Sequence, residues 1–546
     1  MATINIPIRE VQSPGMLTDS PPSSLTASAW SYARNMMFSA KGASRAPHFL
    51  LLSSTSTMPE VYHIAGQRYS NEGFDDTYVF GPNGECGLFR GEGKYTSLNP
   101  DNYSPSPLPS SSQPAYTSCI LAGLLYINRA DIGIRYADSS GSSFKDIPNL
   151  DSPWRCNVLR AYKDFLVALN VTKAGVTYSN MVKWSDATLQ GQPPSNWDYT
   201  LSEEFKSSLA GENPLAEMTG PILDGMRLGN SFIIYGRDEV WVMEESGDST
   251  SVFTFRRQFG EGIKGANCVV EVNGTHFVFG AAQLYMNDGI TPTPIQLRRN
   301  NATLYQRMDE TRPELCHVAH DQKNKVILFC YPQKGSVGCS EALAYNYVDK
   351  TASFIDLPNT HCSAYGTPSG WYAWTDNGEH DWTYDPENDP GPTWADDATA
   401  YVPSLLWGGA GANQGTLWSY ENTEGGEGTP DPDNNFTGLL QRTGVVLDNV
   451  QANGVNAPLI GAKRIGRVVP LMGGQSEPVT VSVAGIMKDT DNPNWVSLGT
   501  FDAETQYKLD GGRTTGRKLC FKVEIPPTAW ATVVGYDLLV SPWGTR

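Results

Sequence analysis

Residues able to do chemistry are plentiful in this chain, but few of them are grouped. Cys316-His317-Val-Ala-His320-Asp321 sets a thiol, two imidazoles and a carboxylate close together, the residue types of a zinc site. It sits just before an apolar run, Val326-Ile-Leu-Phe, with no second ligand cluster nearby in sequence, so a histidine satisfied in a turn is the expected role. Asp431-Pro-Asp433-Asn434-Asn435 and Asp489-Thr-Asp491-Asn492 are oxygen-rich turns of the kind that hold Ca²⁺, although neither has the full loop spacing with a terminal Glu. Trp184-Ser-Asp-Ala-Thr-Leu-Gln-Gly is similar to a sialidase Asp-box but lacks its Ser-x-Asp-x-Gly-x-x-Trp spacing. Glycoside cleavage needs two carboxylates about 5 to 9.5 Å apart, and a sequence with 58 acids singles out no such pair. A Walker loop, a Gly-x-Ser-x-Gly elbow, a His-Glu-x-x-His pair and a dinucleotide fingerprint are all missing. No catalytic residue, metal ligand or cofactor is therefore assigned, and an enzyme is not expected.

The strongest polar signal is electrostatic. The net charge is −18, and residues 436–546 hold 11 Lys+Arg against 9 Asp+Glu, so the acidity lies in residues 1–435. Between Thr351 and Gln441 there is no Lys or Arg. Eight acids crowd one part of that stretch: Asp376, Glu379, Asp381, Asp385, Glu387, Asp389, Asp396 and Asp397. A solvated acidic loop is one reading of them. Such a surface repels phosphates, which disfavours ordinary nucleic-acid binding but suits a wall that DNA slides past. The same stretch carries Trp371, Trp374, Trp382 and Trp394, which would serve as sugar platforms in a carbohydrate-binding or glycan-cleaving receptor-binding propeller.

These residues must be positioned by a β architecture. Short apolar strands Leu124-Leu-Tyr-Ile, Phe165-Leu-Val-Ala-Leu, Phe232-Ile-Ile-Tyr, Phe277-Val-Phe and Val326-Ile-Leu-Phe each follow a turn such as Ala122-Gly, Lys163-Asp, Gly229-Asn or Asn273-Gly. Their first residues are 41, 67, 45 and 49 positions apart, the spacing of propeller blades. Six units are expected, at Val61–Leu98, Thr117–Ile147, Asn157–Asp186, Ile222–Phe255, Cys268–Leu297 and Cys316–Leu357, with an insertion at 187–220 that includes a short helix near Ser202. Alternation in Val479, Val481, Val483 and in Leu519, Phe521, Val523, Ile525 marks half-buried antiparallel strands. The expected class is thus all-β: a β-propeller with insertions plus a β-sandwich-like platform domain. The boundaries are an N-terminal arm at 1–57 with a short helix around Ser28–Asn35, the propeller at 58–368, an acidic Trp-rich insertion at 369–435 and the sandwich at 436–546. Trp30, Met37 and Phe38 are too apolar to stay solvated, so the arm should pack on the platform or on a neighbouring subunit.

Nine scattered cysteines without a Cys-x-x-Cys pair indicate reduced thiols rather than a disulfide framework. No apolar run approaches the ~20 residues of a membrane span, and the first residues lack a secretory pattern, so a chain made in a cytosol and not inserted in a membrane is expected.

Several passages, in order along the chain, resemble the nozzle proteins, or tubular tail protein B family, of short-tailed bacteriophages. They are Pro14-Gly-Met-Leu-Thr-Asp-Ser-Pro-Pro22, Ala29-Trp-Ser-Tyr-Ala-Arg-Asn35-Met-Met-Phe38 and Val182-Lys-Trp-Ser-Asp186. Gly229-Asn-Ser-Phe-Ile-Ile-Tyr-Gly with Glu239-Val-Trp-Val-Met, and Asp510-Gly-Gly-Arg-Thr-Thr-Gly-Arg517 with Gly535-Tyr-Asp-Leu, complete the set. The resemblance implies a virion protein made in the bacterial host cytoplasm and assembled as a six-fold ring at the distal end of the tail. It also implies a tail adaptor above, fibres or spikes at the side, a plug or needle below, and genomic DNA crossing the lumen without sequence-specific binding. Six copies would carry a net charge on the order of −100. On this reading the eight acids of Asp376–Asp397 line the lumen or its mouth. The near-neutral tail domain, with Lys463, Arg464, Arg467, Arg513 and Arg517, is expected to make subunit or adaptor contacts together with Trp30 and Phe38.

Overall fold

The computed structural model describes residues 3–543 apart from 14, 55–57, 68–75, 90–94, 100–114, 138–142, 149–153, 199–207, 248–250, 296–299, 367–403, 423–429, 432, 448–450, 453–454 and 457–460. Six antiparallel meanders of four strands follow one another from His63 to Gly366. Their first strands are His63–Gln67, Thr117–Leu121, Trp154–Tyr162, Ile222–Leu228, Val269–Val272 and His317–Asp321. The chain is an all-β protein built on a six-bladed propeller.

Local chemistry makes each blade. The strands are short and rich in Val, Ile, Phe and Tyr, and in blades 2 to 5 a two-residue turn joins the first strand to the second. Asn273 (φ 52) and Gly274 (φ 74) both occupy the left-handed region between the paired residues Val272 and Thr275, the backbone that a right-twisted hairpin requires. Ala122 (φ 52) and Gly123 (φ 82) do the same between Leu121 and Leu124.

Apolar side chains shared by neighbouring blades close the ring. Tyr78 and Phe80 of blade 1 pack with Leu125 and Phe144 of blade 2, and Tyr126 of blade 2 packs with Leu159 and Leu166 of blade 3. Val167 and Trp184 of blade 3 join Phe232 and Phe253 of blade 4. Blades 4, 5 and 6 share one core through Val242, Phe277 and Phe329. Ile64 and Val79 of blade 1 meet Cys362, at the end of blade 6. The segment expected as an insertion at 187–220 includes the outer strand of blade 3, Gly211–Pro214, which pairs with Met181–Trp184. The helix expected near Ser202 lies outside the described residues.

The sheet of blade 6 continues into the platform. Its sixteen-residue last strand, Thr351–Gly366, pairs with Cys339–Asn346 along one half and with Ser404–Gly409 along the other. On its free side Phe354 meets Arg34 of the strand Tyr32–Arg34, which in turn pairs with Gly438–Val445. The sheet continues through Lys518–Ile525 and Val479–Ile486 to Val496–Phe501. A second sheet, Met36–Ser39, Gly42–Arg45, Thr532–Pro542 and Lys463–Gly473, packs against it, with Ile4–Ile8 added along Thr532–Pro542. Phe521 and Tyr536 stack between the sheets with ring centroids 3.9 Å apart, and Trp30 lies against both. The alternating residues Leu519, Phe521, Val523 and Ile525 are all fully buried there.

Three expectations change. The N-terminal segment expected as an arm contributes the strands Ile4–Ile8, Tyr32–Arg34, Met36–Ser39 and Gly42–Arg45 to both sandwich sheets of its own chain. No helix forms around Ser28–Asn35, because Asn35 takes a positive φ of 55 and ties its side chain to Asp356 and to the Thr437 carbonyl. Part of the segment expected as an insertion is sheet: Ser404–Gly409 and Thr416–Glu421 pair with each other, and Thr416–Glu421 pairs with His48–Ser54. Among the described residues, no helix is long and apolar enough to cross a membrane.

Candidate functional site

The first strands of all six blades converge around the propeller axis, and a belt of hydrogen bonds joins them. His63 of blade 1 lies 2.9 Å from the Ser118 hydroxyl of blade 2. Arg160 of blade 3 donates to the Ser118 carbonyl (3.3 Å) and, through Nε and Nη2, to both oxygens of Asp224 in blade 4, each at 2.9 Å. Nη2 also reaches Asn267 Oδ1 at 2.9 Å, just ahead of blade 5. The Val318 amide of blade 6 donates to the Asn267 carbonyl at 2.9 Å. Tyr62 and His361 stack at 4.1 Å and complete the circuit between blades 1 and 6.

Arg160 and Asp224 sit in the first strands of blades 3 and 4, Trp154–Tyr162 and Ile222–Leu228. A buried carboxylate is tolerated only when it is paired and hydrogen-bonded, and Asp224, fully buried, has its guanidinium partner and the amides of Gly225 and Asn267 at 2.7 Å. A bidentate geometry makes that pair directional as well as strong. Asn267 also donates to the Tyr116 carbonyl at 2.9 Å, a contact from the entry of blade 5 to the entry of blade 2 on the opposite side of the ring. The axis is therefore bridged, and what remains open is a cavity of about 310 Å³. Enclosure pushes His63 down to about 3, with Arg160 and His317 adding repulsion to its protonated form.

Catalytic arrangements do not develop from the sequence candidates. Burial raises the Cys316 thiol to about 12 and lowers His317 to about 4. Cys339 lies 3.7 Å from His317 Nδ1, and burial raises that thiol far above its ordinary range, opposite to the shift a nucleophile needs. The oxygen-rich turns hold themselves. Asp431 accepts from Trp418 Nε1 (3.0 Å) and Asn434 (2.8 Å), Asp489 from Lys518 and Ser23, and Asp491 from the amides of Met487 and Lys488. Asp186 of the Asp-box-like segment caps the amides of Ala187 and Leu209. No group of three His, Cys, Asp or Glu is placed to hold a metal ion among the described residues.

The acidic residues Asp376, Glu379, Asp381, Asp385, Glu387, Asp389, Asp396 and Asp397, and the tryptophans at 371, 374, 382 and 394, lie outside the described residues. The residues expected at contacts divide. Trp30 (1% exposed) and Phe38 (2%) belong to the chain's own core, which corrects their expected contact role, and Trp30 Nε1 donates to the Val11 carbonyl at 2.9 Å. Lys463 is buried as well, donating to the Arg517 carbonyl at 2.8 Å. Arg467, Arg513 and Arg517 are exposed, with Arg467 beside Asp510 at 3.7 Å. Arg464 lies over the ring of Trp543, itself 48% exposed. Four arginines thus remain on the platform surface. The axial belt escaped sequence reasoning, because Arg160 and Asp224 lie in strands that carry other charged residues, Arg155 and Arg227, and nothing local marks them apart.

No protein-family model and no curated protein matches the chain. Among solved structures it is similar to one described as YCF48 bound to D1 peptide, at 10% identity and a TM-score of 0.35, over 68% of this chain and 96% of that one. At that score the likeness carries no argument about site or partner.

Proposed function

We propose that this protein is a structural component of the tail of a short-tailed bacteriophage, one subunit of a ring, six-fold by the family resemblance, that conducts the genome during ejection. In this reading the ring binds an adaptor, a fibre or spike, and a plug or needle. The observation that supports it is where the family-like segments sit. Trp30 fills the sandwich core, Arg34 and Asn35 fasten the first segment to Asp356 of blade 6, and Glu239 accepts from the Thr219 amide at 2.7 Å. Each of these residues holds architecture together, as a load-carrying subunit requires.

The bridged axis adds a constraint. A duplex cannot pass through one propeller, so the lumen lies between copies and the outer surfaces of the subunits form its wall. Like-charge repulsion from the segment Asp376–Asp397 would keep DNA from adhering to that wall, and Arg464, Arg467, Arg513 and Arg517 on the platform surface would meet acidic neighbours. Sedimentation velocity of the purified chain, alongside a glycan array, tests the proposal. A discrete closed oligomer without glycan binding is expected. A monomer or trimer that retains a glycan would replace the proposal with a receptor-binding propeller.

A further inference from the structure

A turn at 511–514 on the platform sets an arginine where the backbone favours glycine. The Thr514 amide closes the turn on the Gly511 carbonyl at 3.3 Å, and both central residues, Gly512 (φ 60) and Arg513 (φ 62), lie in the left-handed region. Glycine and asparagine suit such positions, whereas the Cβ of an arginine meets a steric penalty there. The turn is pinned to the strand Lys463–Gly473, because the Gly511 amide donates to the Gly466 carbonyl at 2.8 Å and the Ile465 amide to the Thr514 carbonyl at 2.9 Å. An unfavourable backbone held by its surroundings points to a use for the side chain it presents. Arg513 is exposed and forms no ion pair among the described residues.

The surroundings of Arg513 have the composition of a protein contact. Arg517 is exposed and likewise without an ion pair among the described residues, and Arg467 is exposed beside Asp510 at 3.7 Å. Tyr507, 71% exposed, carries the Lys508 ammonium 4.7 Å from its ring centroid. Under the turn, a Cβ on Gly512 would lie 3.4 Å from the side chains of Leu498 and Val496. Those two belong to Val496–Phe501, the last strand of the long sheet, whose open edge has neither a charge nor a proline to guard it, only a bulge at Leu498. Tyrosine and arginine beside apolar residues are the types enriched at interfaces.

Charge selects the occupant. Residues 436–546 hold 11 Lys+Arg against 9 Asp+Glu, whereas residues 1–435 hold 29 against 49, a net charge of −20. Glu217, Asp238, Asp288 and Glu310 are among the exposed acids of that portion. A two-fold contact would set the patch against its own copy, arginine against arginine, which like-charge repulsion disfavours. A head-to-tail contact sets it against the acidic portion of the next copy, and contacts of that kind generate closed rings. We propose that the Arg513 turn, with Arg467, Arg517, Tyr507 and the edge strand Val496–Phe501, docks on the acidic portion, residues 1–435, of a second copy of this chain. This contact deepens the ring reading above and rests on it.

Sedimentation velocity of the full chain, with Arg513→Gly and Arg513→Glu beside the wild type, tests this. Glycine suits the positive φ, so Arg513→Gly should melt no lower than the wild type while raising the concentration at half-assembly about tenfold. Arg513→Glu should leave monomers at concentrations where the wild type is assembled. Carbodiimide cross-linking of oligomers mixed from two isotope labels should join Lys508 to carboxylates within residues 1–435 of another copy. Thermal melting verifies that the variants fold, and if neither does, the cross-link decides. A wild type that stays monomeric would overturn this contact together with the ring reading. A closed oligomer that both folded variants form as readily as the wild type, or Lys508 joined to another copy only within residues 436–546, would overturn this contact and leave the ring reading standing.

Discussion

Trp30→Ala probes the most consequential structural finding, that strands between Ile4 and Arg45 complete the platform of their own chain. Trp30 is 1% exposed, lies 6.0 Å from Tyr536 and 6.4 Å from Phe521, and donates Nε1–H to the Val11 carbonyl. Truncating a buried tryptophan costs about 3–5 kcal/mol, and losing the donor to Val11 places the expected loss toward the upper end. That is a large share of the ~5–15 kcal/mol by which domains are stable. Trp30→Phe retains most of the ring volume and should cost about 1–3 kcal/mol, chiefly from the orphaned carbonyl. Trp543→Ala, on the platform surface, should stay within about 0.5 kcal/mol. Urea denaturation followed by circular dichroism, at two protein concentrations tenfold apart, gives all three values. The reasoning fails if Trp30→Ala is within 1 kcal/mol of wild type, or if its cost depends on protein concentration, because either result would place Trp30 between subunits.

Other consequences can be measured alongside. Glu341 is fully buried at the junction of blade 6 and the platform and accepts from Arg307 and Tyr331, so Glu341→Gln should cost about 3 kcal/mol, the low end for breaking a buried pair because Arg307 is 26% exposed; a loss under 1 kcal/mol would count against that role. Burial lowers His48, His276 and His317 to about 4. Between pH ~4 and ~6.5 the unfolded chain therefore binds protons that the folded chain does not, and stability rises with pH by up to about 1.4 kcal/mol per unit per histidine. Denaturation midpoints flat across that window would contradict those burials. A fragment of residues 436–546 should remain unfolded by NMR, since it lacks the partner strands Ile4–Ile8, Tyr32–Arg34 and Gly42–Arg45; a dispersed spectrum would show the opposite.

The sequence showed the local part of this fold more clearly than the distant part. The six blades were legible because each carries its own turn chemistry and apolar runs, repeated at blade spacing. Alternation in Leu519–Ile525 likewise announced a half-buried strand. The fate of residues 1–54 was not legible, because Ile4 pairs with Val540 and Tyr32 with Gln441, and nothing local encodes such partners. The apolar spacing of Trp30, Ala33, Met36 and Met37 suits a helix, yet pairing on both sides pulls Tyr32–Arg34 into a strand. The axial belt was hidden for a similar reason. Arg160 and Asp224 are 64 positions apart, and only the packing of blade 3 against blade 4 brings them together.

Electron cryo-microscopy of the assembled protein tests the central claim most directly, because it shows both the ring and where its opening lies. The account predicts a closed ring of copies around a lumen wide enough for duplex DNA, with each propeller axis off the lumen and bridged by Arg160, Asp224 and Asn267. Particles that stay monomeric, or rings whose only opening runs through the propeller axes, would contradict it.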